Sequence, residues 1–346
     1  MKVGIVGLEF AGKKTLFSLM TGIRKEGYSA GKEDIGVVDV PDGRIEELAK
    51  YYNPKKKTFT KIEFNLLPPV KKGSDEKSNV IAQSKDVDMF AVVVRDFKDD
   101  NVFHPDGGID PVRDYNVIKD EFLISDLMIV ETRLERLQKQ LKTKSTDQGL
   151  KEKSLMEKLK ESLENGIFIK NMELDPESLK TVNTFSFVTT KPIFAVVNCD
   201  ENGISKEFKF PDGVRSINIS AKMEAEIQEL DDAAKKEFLA SMGIEETSLN
   251  RLIKFAYGYG NLISFLTAGA DEVRSWTITK GSTAQKAAGA IHSDIEKGFI
   301  RAEVVAFDDF KKSGSEAEAK KLGLYRLEGK EYTVKDGDII EFRFNV

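Results

Sequence analysis

Cysteine and histidine are almost missing from these 346 residues: one Cys, at 199, and two His, at 104 and 292. A lone thiol excludes an intramolecular disulfide, and so few sulfur and imidazole ligands leave no set for a structural zinc site, so no metal ligands are assigned. That scarcity fits a reducing cytoplasm, the expected location. No apolar run reaches the roughly 18 residues of a membrane helix, and the chain opens on a strand rather than a charged leader with a cleavage site. Neither a membrane span nor a signal peptide is therefore expected. Positive charge is not in excess either: 53 Lys and Arg stand against 58 Asp and Glu, a formal net charge of −5. No global basic field advertises nucleic acid, no DNA partner is expected, and any RNA contact has to be a local patch. Internal repeats are lacking, and the only stretch of lower complexity is "KKSGSEAEAKK" near Lys311.

What is present is the length and texture of two or three ordinary domains. Short continuous runs of Val, Ile and Phe recur at "KVGIV", "IGVVDV", "KIEFNLL", "MFAVVVRDF" and "PIFAVVN". Strand-length runs without polar alternation predict strands covered on both faces, hence a mostly parallel sheet in an α/β domain spanning 1–113 and 181–265. Between 114 and 180 the texture changes. Val130, Leu134, Leu137 and Leu141, then Leu155, Leu159 and Leu163, recur at helical spacing among charged residues on either side of the polar break "KSTDQG". This predicts an inserted antiparallel helical hairpin, its charges read as a solvated face. From 266 to 346, strand, turn, helix and strand patterns with glycine turns predict a small α+β module.

One loop carries chemistry. In "MKVGIVGLEFAGKKTLFSLMTG" the glycine-bearing segment lies between a predicted strand and a predicted helix, where unpaired backbone N–H groups and the helix dipole favour a bound anion. Gly7, Gly12 and Lys13 meet the Gly-x-x-x-x-Gly-Lys-[Ser/Thr] pattern, but Lys14 stands where a hydroxyl would ligate magnesium. An ammonium donates hydrogen bonds and cannot replace that oxygen. Thr15 is one residue late for the metal, although its hydroxyl could meet the α-phosphate. Taken alone, the glycines could equally make no more than a tight turn.

The whole ordered set of "GKKTLFSLMTG", "DPVRDYNVIKDEFLISDLMIVETRLERL", "KPIFAVVNCDENG", "SAKMEAEIQELD", "TAGADEVRSWTITKGSTAQKAAGAIHSDIEKGFIRAEV" and "EYTVKDGDIIEFRFNV" resembles the YchF or Obg-like ATPase family of translation-associated P-loop proteins, from Met1 to Val346. The resemblance implies a GTPase-like α/β domain, an inserted coiled-coil hairpin and a C-terminal TGS domain of β-grasp type. It also implies ATP in preference to GTP, and association with the ribosome or RNA. Phe10, Ala11, Gly12, Lys13, Lys14 and Thr15 become the phosphate-binding segment. Asn198, Cys199 and Glu201 match the Asn-x-x-Glu that replaces the GTPase Asn-Lys-x-Asp. Ser220, Ala221 and Lys222 match the loop that supports the base, and His104 matches a loop histidine assigned to water positioning in this family.

Against that pattern the metal and γ-phosphate devices look dismantled. Where the family carries "DIAG", "EFNLLPPV" puts Leu66 at the aspartate position and Pro69 at the glycine position; leucine offers no oxygen and proline no N–H. The segment from Tyr28 to Gly36 lacks the family's metal-shell threonine, and "KKGSDEKS" replaces a glycine-rich stretch. The ligands expected are ATP or ADP, with GTP possible and magnesium in doubt. The chain is expected to act as a monomer that binds nucleotide with impaired hydrolysis. Two alternatives stay open: a non-enzymatic adaptor with a relic P-loop, and an ATPase using other groups. Basic residues Lys280, Lys286, Lys297 and Arg301, and the run Lys55 to Lys57, are candidate RNA contacts or ordinary surface.

Overall fold

A computed structural model of the chain describes residues 1–23, 34–70, 81, 84, 86–105 and 107–345. In chain order it contains β1 (Lys2–Gly7), α1 (Lys13–Thr21), β2 (Asp34–Asp39), α2 (Gly43–Tyr52), β3 (Lys56–Thr58), β4 (Lys61–Leu66) and β5 (Met89–Asp96). Then come α3 (Pro111–Thr143), α4 (Asp147–Glu164), α5 (Pro176–Val182), β6 (Ile193–Cys199), β7 (Ser216–Ile219), α6 (Ala221–Gln228), α7 (Asp232–Ser241) and α8 (Ser248–Tyr259). The remainder is β8 (Leu262–Ala268), β9 (Glu272–Thr279), α9 (Ala284–Ile291), α10 (Ser293–Lys297), β10 (Phe299–Ala306), α11 (Phe307–Ser313), α12 (Glu316–Lys321), β11 (Arg326–Glu328) and β12 (Asp338–Phe344). Two compact units result, one from 1–37 and 63–252, the other from 38–62 and 253–346.

The first unit is built on a sheet of order β2-β4-β1-β5-β6-β7, in which β1 pairs in parallel with β4 and β5, and β6 with β5 and β7. Every residue of β6 is buried, and so is β5 up to Asp96, which is why these strands read as unbroken apolar runs. The hairpin follows from capping and spacing. Asp110 accepts the amides of Val112 and Arg113 ahead of Pro111 and starts α3, and Thr146 accepts the Gly149 amide to start α4. Val130, Leu134, Leu137, Leu155, Leu159 and Leu163 are all buried along the contact between the two helices. Arg133 to Glu152 and Lys160 to Glu131, both at 2.7 Å, bridge the helices at the surface.

The second unit holds a mixed sheet of order β11-β10-β12-β8-β9-β3, with β12 parallel to β8, β3 parallel to β9 and the other registered pairs antiparallel. One face buries Phe265, Ile278, Val304 and Ile340 against Ala284, Ala287 and Ala288 of α9. The opposite face buries Leu266, Val273, Val305 and Ile339 against Ile45 and Leu48 of α2 and Phe310 of α11.

The division of the chain differs from the one expected. Residues 38–62 and 253–265 fall in the C-terminal unit, because β3 pairs along β9 and α2 buries Ile45 and Leu48 there. The hairpin is not a separate unit either: its apolar stripe continues through Phe122, Ile118 and Tyr115 into Phe90 and Val92 of the parallel sheet. Among the described residues no helix is long and apolar enough to cross a membrane.

Candidate functional site

The loop between β1 and α1 is assembled by one conformational demand and one close approach. Gly12 precedes α1 with φ of 92°, and a Cβ there would lie 2.2 Å from Nδ2 of Asn198, so only glycine fits. Phe10, exposed, also takes the left-handed region at φ of 61°, a strained choice for an aromatic residue. Lys13 folds inward with 2% of its surface exposed, and its Nζ donates to the carbonyls of Gly7 at 2.8 Å and Leu8 at 2.5 Å. Burial pulls its pKa down to about 7; the Glu9 carboxylate opposes this shift and the Lys14 charge adds to it. Lys14 is half-buried and Thr15 exposed.

Asn198 brings the predicted pieces together. At the end of β6 its Nδ2 donates to the Ala11 carbonyl at 3.2 Å, while its Oδ1 accepts the Ala221 amide at 3.1 Å. One side chain thus joins the phosphate-loop segment to the start of α6. Ser220 caps that helix by accepting the Met223 amide at 3.3 Å and is itself buried, whereas Lys222 is exposed. Cys199 is buried with Sγ donating to the Ile219 carbonyl at 3.3 Å, and burial pushes its pKa up to about 11, with Asp96 and Asp200 adding to the effect. It is structural and poorly suited to nucleophilic work. Of the two neighbouring carboxylates, Asp200 accepts the Lys98 amide at 3.1 Å, and Glu201 is exposed.

Two residues that the sequence reading missed shape the rim. Arg95, at 3% exposure, donates to the carbonyls of Phe97, Asp99, Val102 and Phe103 and lies 4.4 Å over the Phe97 ring. The loop after β5 is wound on this one guanidinium. Asn218 does the same for the loop after β6, donating to the carbonyls of Gly203, Ile204 and Lys206. A cation inside the run "VVVRDF" was the available signal for the first; nothing in the local pattern marks the second.

His104 lies in the loop between β5 and α3. Its Nε2 lies 3.0 Å from Oδ2 of the buried Asp114, whose Oδ1 accepts from Arg113, and its side chain is 9% exposed. That contact anchors the imidazole to the first turn of α3. Leu66 ends β4 opposite Ile5 and is buried. The next apolar residues, Leu67 and Val70, are buried too, and the Val70 amide donates to the Gly7 carbonyl at 3.1 Å. An ammonium, a buried leucine and a proline do not make a magnesium shell. Residues 28–33 of the upstream segment and the whole of "KKGSDEKS" lie outside the described residues.

Comparison with known proteins gives the family. The family model YchF-GTPase_C, described as a protein of unknown function (DUF933), matches residues 262–345. The chain is 41% identical to the ribosome-binding ATPase YchF of Haemophilus influenzae over 362 residues, covering 100% of this chain and 99% of that protein. It is 39% identical to the ribosome-binding ATPase YchF of Bacillus subtilis over 365 residues, covering 100% of each. The solved Schizosaccharomyces pombe YchF GTPase shares the fold at a TM-score of 0.82 and 29% identity, over 99% of this chain and 97% of that one. With relatives this similar over its full length, the chain belongs to the YchF family.

Proposed function

We propose that this chain is a ribosome-associated regulator that binds adenine nucleotide and hydrolyses it slowly or not at all. The curated relatives are named ribosome-binding ATPases, and the chain matches them from end to end. The observation that carries nucleotide binding is the Asn198 strut, which holds Ala11 of the glycine loop and Ala221 of the base-supporting loop in one rigid frame. The loop amides and Lys13 would take the phosphates, with Lys13 exchanging its two carbonyl partners for phosphate oxygens. Asn198 and the exposed, acceptor-only carboxylate of Glu201 would face the base, where an adenine amino group can donate.

Phosphoryl transfer depends on positioning and charge neutralisation, for which the metal is the usual device. Bound magnesium would neutralise the β- and γ-phosphates. The donor set here does not suit it: Lys14 and the buried Leu66 stand at the ligand positions. Lys14 instead brings a second ammonium beside Lys13, so the phosphates can be neutralised without a divalent ion. The second reading, an adaptor with a relic loop, draws on the same Leu66 and on Pro69.

Thermal melts with ATP, ADP, GTP and no ligand separate the readings, because a ligand that binds only the folded chain raises its apparent stability. A rise with ATP and ADP is expected. No rise at millimolar nucleotide would leave the adaptor. Phosphate release, compared with Lys13→Ala, then decides turnover.

A further inference from the structure

The helical hairpin ends in a basic tip that its own structure does not use. From Arg136 to Thr146 there is no Asp or Glu, while Arg136, Lys139, Lys142 and Lys144 all fall within this stretch. All four are exposed. Nearer the sheet most of the hairpin's cations are paired, Arg133 with Glu152, Lys153 with Glu157, and Lys160 with both Glu131 and Glu164, Lys158 being the exception among the described residues. Among the described residues, the side chains of Arg136, Lys139, Lys142 and Lys144 have no such partner.

A solvated helix face normally interleaves its charges, and the lower hairpin does so. The helix dipole favours cations only in the last turn of α3, which accounts for Lys142 and Lys144 at most. Arg136 and Lys139 lie outside that turn. Arg136, Lys139 and Lys142 are spaced three apart and so run along one side of the helix, with the polar neutral residues Gln138, Gln140, Thr143, Ser145 and Thr146 among them. The 18 residues of α4 measure about 27 Å, so the cations stand at the end of a long lever.

We propose that this tip is an RNA-contacting surface, with the four side chains seated on backbone phosphates. The proposal rests on the reading of the chain as ribosome-associated, and it names the contact. Four unpaired cations without an intervening carboxylate match a polyphosphate backbone. Amide and hydroxyl side chains between them can meet phosphate or ribose oxygens. The tip offers no apolar face for a membrane, Leu150 being its one exposed large hydrophobic residue.

The test uses the full chain. Binding of a fluorescein-labelled RNA stem-loop is followed by anisotropy across a potassium chloride series, and cosedimentation with purified ribosomes is measured in parallel. The variant combines Arg136→Gln, Lys139→Gln, Lys142→Gln and Lys144→Gln. A control of equal charge change combines Lys209→Gln, Lys236→Gln, Lys312→Gln and Lys330→Gln. Each phosphate contact contributes about 0.7–0.9 to the slope of log K against log salt. The tip variant is expected to bind RNA more than tenfold weaker, with the slope reduced by about 3, while the control keeps most of both. No RNA binding by the parent chain, or unchanged affinity and slope in the tip variant, would overturn the proposal. Loss of ribosome cosedimentation with unchanged RNA binding would overturn it in favour of a protein contact. A parent chain that binds the RNA probe through the tip but does not cosediment with ribosomes would sink the ribosome reading and leave the RNA surface standing.

Discussion

Replacing Asn198 by alanine removes the joint on which the nucleotide frame depends. The side chain is 4% exposed and makes two hydrogen bonds, to the Ala11 carbonyl and from the Ala221 amide, and both of those residues are buried as well. Two net hydrogen bonds are worth about 1 kcal/mol each, and stranding the two partners adds a desolvation cost of similar size. A loss of roughly 3 kcal/mol is expected. For a unit of this size that corresponds to a melting temperature lower by about 6–12 °C. Glu201→Ala is the matched comparison, because Glu201 is exposed and its side chain makes no hydrogen bond or ion pair among the described residues. It should melt within about 1 °C of the parent chain while still losing affinity for ATP. Differential scanning calorimetry and isothermal titration of both variants read the two quantities separately. An Asn198→Ala chain that melts like its parent would refute the strut.

Three further outcomes follow from buried groups. Asp126 accepts the Val188 and Thr189 amides at 3.0 and 2.8 Å, and burial raises its pKa from 3.8 to about 6 against those bonds. Because the folded chain holds that proton more tightly, the contribution is full below pH ~4 and is lost as pH rises through ~6, by up to about 3 kcal/mol. Urea unfolding at several pH values should therefore show the stability of the parent minus that of Asp126→Asn falling across this window; a constant difference would contradict it. Leu159→Ala, at a fully buried hairpin position, should cost about 2–5 kcal/mol by chemical denaturation. Cys199 should react slowly with a maleimide in the folded chain and fast in denaturant, given its burial and raised pKa; rapid native labelling would show the thiol to be accessible.

The parts of this structure that were legible in the sequence are those set by local periodicity. The glycine loop lies between a strand and a helix as its pattern required, and Val130, Leu134, Leu137, Leu155, Leu159 and Leu163 of the hairpin are buried at the spacing read from the chain, Leu141 only partly. What escaped depends on long-range pairing. β3 is three residues of Lys, Lys and Thr with no apolar alternation, so nothing local tied residues 38–62 to a sheet more than 200 positions later. Arg95 and Asn218 organise loops through carbonyls, which every residue carries, so sequence cannot show them as acceptors. Asp114 was read only as the edge of the helical insertion, and its contact with His104 depends on how the intervening loop turns back on α3.

The loop amides with Lys13 and Lys14 are proposed to hold a nucleotide without a divalent ion. Isothermal titration of ATP into the parent chain, once with magnesium and once with excess chelator, tests it directly, with Lys13→Ala as the control. Similar affinity in the two buffers, lost in the control, is the predicted result. Binding that vanishes with the chelator, or that survives the loss of Lys13 unchanged, would rule out metal-free binding through these lysines.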